Sequence, residues 1–145
     1  MSEPAKKNGE RDAQPEPQDL ETAIRRRVLN RDKRYHINAY RFIYEALEHT
    51  QKLLGRRPDS DNPEDRHVTG QELLEGIRDC AQRAFGPLAP CVFRSWGVRR
   101  TEDFGEIVFS LVEAGLMGKT DRDSRADFAN GYDFDAAFDG PLKIK

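Results

Sequence analysis

The chain has 145 residues, of which 37% are apolar and 34% charged, a length and balance suited to one domain whose core needs no disulfide or metal staple. Its 24 Lys and Arg stand against 26 Asp and Glu, a net charge of −2, so no overall field draws it to a polyanion or an anionic membrane. No apolar run approaches the roughly 20 residues of a membrane span, and the opening segment lacks the apolar stretch of a secretory signal, so a membrane protein, a secreted disulfide scaffold and a collagen-like or repeat chain are excluded and a cytoplasmic protein is expected.

Residues 1–18 (MSEPAKKNGERDAQPEPQ) hold only Met1, Ala5 and Ala13 as apolar residues beside three prolines, too little burial to offset the entropy of ordering, and are predicted to be a disordered tail. A single helical domain is predicted over 19–139. Its first helix opens near Asp19, a good N-cap, with Leu20, Ile24 and Val28 recurring at i+4. The second runs from about Ile37 to Leu54. Ile37, Tyr40, Tyr44, Leu47 and Leu54 line one face, widened by Phe42, Ile43, Ala46 and Leu53, and Gly55 stops it. The stretch 55–67 (GRRPDSDNPEDRH) has two prolines and no aliphatic residue and reads as a flexible connector.

Thr69 and Glu72 then form a capping box, with Val68 and Leu73 at the staple positions. Leu73, Leu74, Ile77, Cys80, Ala81, Ala84 and Phe85 make a wide apolar face that ends at Gly86-Pro87. A shorter helix fits Leu88 to Trp96, its first turn made irregular by Pro90, and closes at Gly97. Thr101 is read as the cap of a further helix with Glu102 and Asp103 in its first turn; Phe104, Ile107, Val108, Leu111 and Val112 face the core and Gly115 terminates it. Beyond Gly118 the helical period lapses, and Asn130-Gly131 is a type I′ hairpin pair. Phe134 and Phe138, however, are spaced for a helix. The prediction is a small hairpin or irregular wing, followed by a tail over 140–145. The fold class expected is mainly α: four or five helices with a small C-terminal β-hairpin, compatible with a winged-helix-like shape.

The near-zero net charge conceals a division. Residues 24–57 hold ten Lys and Arg against three acids, whereas 101–145 hold five against ten. Such asymmetry marks an interaction face, or two blocks that neutralise each other by docking. The basic face is drawn from Arg25, Arg26, Arg27, Arg31, Lys33 and Arg34, although basic groups late in a helix are also favoured by its dipole. The acidic face is Glu102, Asp103 and Glu106.

Binding of RNA or DNA is the alternative reading of the basic block. Its cations, with Arg41, Arg56 and Arg57, would release counterions from phosphates, and Tyr35, His36 and Tyr40 are placed to stack on bases. A helix-turn-helix over 88–117 is less favoured. The position six after the turn glycine is Asp103 rather than an apolar residue, and 101–117 carry four acids and no Lys or Arg, which phosphates repel.

Aspartates 121, 123, 127, 133, 135 and 139 fail the EF-hand pattern, because Arg125, Ala126 and Tyr132 stand where ligands and glycine are required. Cys80 and Cys91 lack metal-ligand spacing and read as small apolar residues. His36, His49 and His67 show no ligand pattern. No phosphate loop, nucleophile elbow or HExxH helix occurs, so neither a cofactor nor an enzyme is expected. Arg94, Arg99 and Arg100 flank Trp96, a grouping able to take an anion or partner, unless the tryptophan closes the core.

The runs RYHINAYRFIYEAL (34–47), HVTGQELLEGIRDCAQRAFGPLAPCVFRSWGVRRTEDFGEIVFSLVEAGLMGKT (67–120) and DFANGYDFDAAF (127–138) resemble the small bacterial proteins called the Verruc_Plancto-restricted family. ELLEGIR, WGV-x-x-TEDFGEIVF and GYDF carry the likeness, which spans about 20–138. The resemblance implies a bacterial origin and one compact domain, and assigns no activity, cofactor or catalytic residue. The function expected is a non-enzymatic interaction or adaptor module for a macromolecule, a protein rather than a nucleic acid.

Overall fold

The structure, a computed structural model, describes residues 17–56, 61–62, 66–118 and 125–138. The disordered tail predicted for 1–18 falls outside these residues except at its last two positions, and the 140–145 tail falls wholly outside them. Helix α1 spans Pro17–Ile24 and continues as a π-helical turn, Arg25–Leu29. It starts two residues before Asp19, which therefore lies in the first turn rather than at the N-cap. A proline suits the opening helical position, and a carboxylate inside the first turn faces its free amides. Ile24 and Val28 are buried as the i+4 stripe requires.

Helix α2, Ile37–Leu53, is capped by His36, whose ring Nδ1 accepts the Asn38 amide at 3.0 Å. Helix α3, Gly70–Phe85, carries the capping box in full: the Glu72 amide donates to Thr69 Oγ1 and the Thr69 amide to Glu72 Oε1, each at 3.0 Å. The two helices run antiparallel. Going back along α2 while going forward along α3, Arg56 meets Glu72, Thr50 faces Gly76, His49 bonds Asp79, and Phe42 stacks near Phe85. At Gly76 a Cβ would fall on the Thr50 hydroxyl, so this crossing requires glycine. Leu53 and Leu54, expected on the core face, are exposed at 57% and 41%.

A 3₁₀ turn, Gly86–Leu88, leads into α4, Ala89–Ser95, with Pro90 in its opening turn where no amide is needed. Helix α5 spans Thr101–Glu113 and packs against α2 and α3. Its cap differs from the one expected. Thr101 is the first helical residue, 1% exposed, and its hydroxyl donates to the Phe128 carbonyl at 2.6 Å and accepts the Gly131 amide at 3.0 Å. Asp103 does the capping instead, its Oδ2 accepting the Arg99 and Arg100 amides at 2.8 and 3.2 Å.

Of the small hairpin or irregular wing predicted, no hairpin is seen, since no strand occurs among the described residues. Asn130 does adopt the left-handed conformation of a turn, with φ of +53°, but a 3₁₀ turn (Arg125–Phe128) precedes it and a short helix, α6 (Phe134–Ala137), follows. Three aromatics decide this. Phe128, Phe134 and Phe138 are all buried, and Phe134 and Phe138, at the start and the C-cap of α6, stand one helical turn apart on the same side. Phe128 lies against Gly70 and Gly105, where Cβ atoms would come within 3.0 Å of its ring. Phe134 and Phe138 reach Phe93, with ring centroids at 5.1 and 5.9 Å. Fully buried Phe93 also meets Phe42, Trp96 and Phe104 and is the centre of the core.

Candidate functional site

The basic residues of α1 and the segment after it stand at the surface, and most of their charges meet no carboxylate. Arg25 pairs with Glu21 at 2.8 Å, one turn earlier. Arg26 is exposed and makes no contact with a carboxylate or carbonyl among the described residues. Arg31 and Lys33 reach back to the carbonyls of Arg27 and Leu29 at 3.3 and 2.9 Å. These are carbonyls the helix end leaves open, and cations are favoured there. Arg27 crosses to the end of α5 and donates to the Ala114 carbonyl at 3.1 Å, so it joins two helices by the same logic.

Arg34 is different. Its guanidinium grips Asp32, with Nη2 2.7 Å from Oδ2 and Nε 3.0 Å from Oδ1, and reaches Glu106 at 3.5 Å. The Arg34 hydrogen bond holds the Asp32 carboxyl below its ordinary range, outweighing the opposing effect of burial. The basic and acidic blocks of the sequence therefore meet at Arg34 and Glu106.

Three of the four acids of α5, all but the exposed Glu113, turn toward this chain. Glu102 accepts the Asn130 amide at 3.1 Å. Glu106 lies between Arg34 and Arg125, the latter at 3.3 Å. Asp103 accepts the Tyr35 hydroxyl at 2.7 Å through the oxygen not used in capping. Burial, then this bond to a carboxylate, pushes the Tyr35 hydroxyl well above its ordinary range. These carboxylates close the fold around the N-terminal half of α5.

Of the aromatics placed for base stacking, Tyr35 is 5% and Tyr40 0% exposed. Burial raises the Tyr40 hydroxyl to about 12. Only His36 is exposed, and its Nδ1 is engaged as a cap. Arg41 lies 3.7 Å from Glu21. Arg56 is occupied in the α2–α3 connection, donating to the His67 carbonyl and pairing with Glu72 at 3.0 Å; Arg57 lies outside the described residues. Residues 125–128 cover α5, which keeps it from entering a groove as a reading helix would.

Trp96 is half-buried among Phe42, Phe85 and Phe93, with ring centroids at 5.7 to 5.9 Å, so it closes the core. His49 and Asp79, which the sequence does not connect, meet at 2.6 Å, and Arg83 adds a contact to the same carboxylate oxygen at 3.0 Å. Burial pushes the neighbouring Cys80 thiol up to about 11, which leaves it a poor nucleophile. Among the described residues no group of three His, Cys, Asp or Glu could hold a metal ion, and no helix is long and apolar enough to cross a membrane. A shallow depression of about 230 Å³ lies between Gln71, Glu75 and the 127–132 segment.

Comparison with protein-family models, curated proteins and solved structures finds no match.

Proposed function

We propose that the chain is a non-enzymatic interaction module that presents the basic surface of α1 and the following segment to an acidic stretch of a protein partner. The observation that carries this reading is an asymmetry of charge use. The acids Glu102, Asp103 and Glu106 are bonded within the chain, whereas Arg26, Arg31 and Lys33 keep charges that no described carboxylate meets. Surface cations of this kind steer association with a partner of opposite sign and set its register. A protein partner is favoured over RNA or DNA because the stacking tyrosines are buried and α5 is covered. Phosphate contact alone would leave a nucleic acid without base readout. The likeness to the Verruc_Plancto-restricted family supports a single domain and is part of this proposal.

The test is fluorescence anisotropy of a labelled oligoglutamate peptide at low and moderate salt. Binding is expected, weakening as salt rises, and lost in an Arg26→Glu/Arg31→Glu double variant. Arg27 is left in place because it ties α1 to α5. Absence of peptide binding at low salt, or binding indifferent to both substitutions, would sink the proposal.

A further inference from the structure

We propose that the cationic surface does not end with α1 but continues onto the loop between α4 and α5, so that Lys33, His36, Arg99 and Arg100 form one rim for an extended acidic segment of the protein partner. This rests on the preceding reading and adds Arg99 and Arg100, which the charge block of the sequence does not contain.

The two loops, 31–36 and 97–100, are separated by some sixty residues of sequence, yet the fold joins them closely. The His36 amide donates to the Trp96 carbonyl at 3.0 Å. Gly97, with φ of +91°, approaches the Arg34 carbonyl so nearly that a Cβ would stand 2.5 Å from it. Any other residue there would push the loops apart. Asp103 completes the join, since one carboxylate takes the Tyr35 hydroxyl from the first loop and the Arg99 and Arg100 amides from the second. Asp103 is thus a positioning residue for the rim.

The charges divide by direction. Asp32 is gripped by Arg34, Asp103 is filled by three donors, and Glu106 lies between Arg34 and Arg125. Arg99 and Arg100 are both exposed, and neither side chain meets a carboxylate among the described residues. Lys33 is exposed, and His36 spends Nδ1 on its cap, which leaves Nε2 to donate outward. Two arginines suit a carboxylate chain, since each guanidinium takes a carboxylate through two parallel bonds. The half-buried Trp96 beside them is packed within the core and offers no stacking platform, which again favours carboxylates over bases.

The experiment uses the whole chain, the labelled oligoglutamate probe and an oligouridylate competitor at matched salt. Arg99→Glu/Arg100→Glu is expected to weaken peptide binding by about tenfold, the scale of two lost surface pairs, with an unchanged melting temperature. Arg99→Lys/Arg100→Lys is expected to fall between that variant and the wild type, since the charge is kept and the paired bonds are lost. If Arg99→Glu/Arg100→Glu binds like the wild type while Arg26→Glu/Arg31→Glu does not, the rim is overturned and the α1 reading stands. If neither pair matters, both fall. Tighter binding of oligouridylate than of peptide, lost in the same variants, would overturn the protein partner in favour of a nucleic acid.

Discussion

Thr101 shows how one side chain serves two elements. Its hydroxyl donates to Phe128 and accepts from Gly131 at 1% exposure, so both ends of the 128–131 turn hang on it. Thr101→Val keeps the shape and leaves a buried carbonyl and an amide unpaired. Stability is expected to fall by about 2 kcal/mol, read from the urea midpoint; a loss indistinguishable from zero would mean that water replaces the hydroxyl. Asp103→Asn is expected to cost about 1–3 kcal/mol, because the amide nitrogen that replaces one oxygen cannot accept either set of donors. Equal stability of Asp103→Asn and wild type in urea would refute the bridging role. Neither residue's part was legible in advance. A threonine followed by two acids at a helix start reads as a cap from local spacing, and only the arrival of Phe128 and Tyr35 from distant sequence reassigns the roles.

At the level of elements, the α2–α3 pair divides into a half the sequence shows and a half it does not. The capping box is legible because both partners lie three residues apart on one helix end. The Glu72 carboxyl titrates below its ordinary 4.5 although burial pushes it up, because the Thr69 amide and the Arg56 guanidinium outweigh burial. A carboxyl lowered in the folded state contributes stability that is fully present above its unfolded value and is lost as pH falls through the lower folded one. Glu72→Gln keeps an acceptor for the capping box but removes the charge. It is expected to lower stability at neutral pH by about 0.5 kcal/mol, with the two proteins converging once acid has protonated Glu72. Urea midpoints along a descending pH series check this, and curves that stay parallel into acid would contradict it.

The crossing of Thr50 on Gly76 was not legible. A glycine inside a helical pattern is only a mild local fault, and its reason lies on the other helix. Gly76→Ala is expected to destabilise by more than its small gain in helix propensity returns, about 1–3 kcal/mol for an overpacked contact. Thr50→Ala in the same chain recovers only part of it, since the Thr50 Cβ itself stands 2.9 Å from the added carbon. Additive losses in that double variant, measured by thermal melting, would show that the two positions do not compete for space. The Asn130-Gly131 pair misled in the opposite way. Its turn is present, but the three phenylalanines around it are claimed by Phe93 and the glycines of α3 and α5, and burial outweighs local turn preference.

For the whole molecule the question is whether the C-terminal segment is an appendage or part of the core. Phe128 fills a space bounded by glycines of two helices, and Phe134 and Phe138 are 5% and 1% exposed against Phe93. Without them Phe93 and Phe104 would face water, so the helices have no closed core of their own. Unfolding should then be one transition. The tryptophan at position 96 reports on it directly, because its ring lies 5.9 Å from that of Phe93, which Phe138 also touches. Phe138→Ala is expected to cost about 3–5 kcal/mol, a large share of the roughly 5–15 kcal/mol typical of a domain. Tryptophan fluorescence and far-ultraviolet circular dichroism should nonetheless move to the same lower midpoint. An early fluorescence change with helical signal retained would show that the segment detaches first. The helices would then hold together without it, and the aromatic cluster would be a clasp on a finished fold rather than its centre.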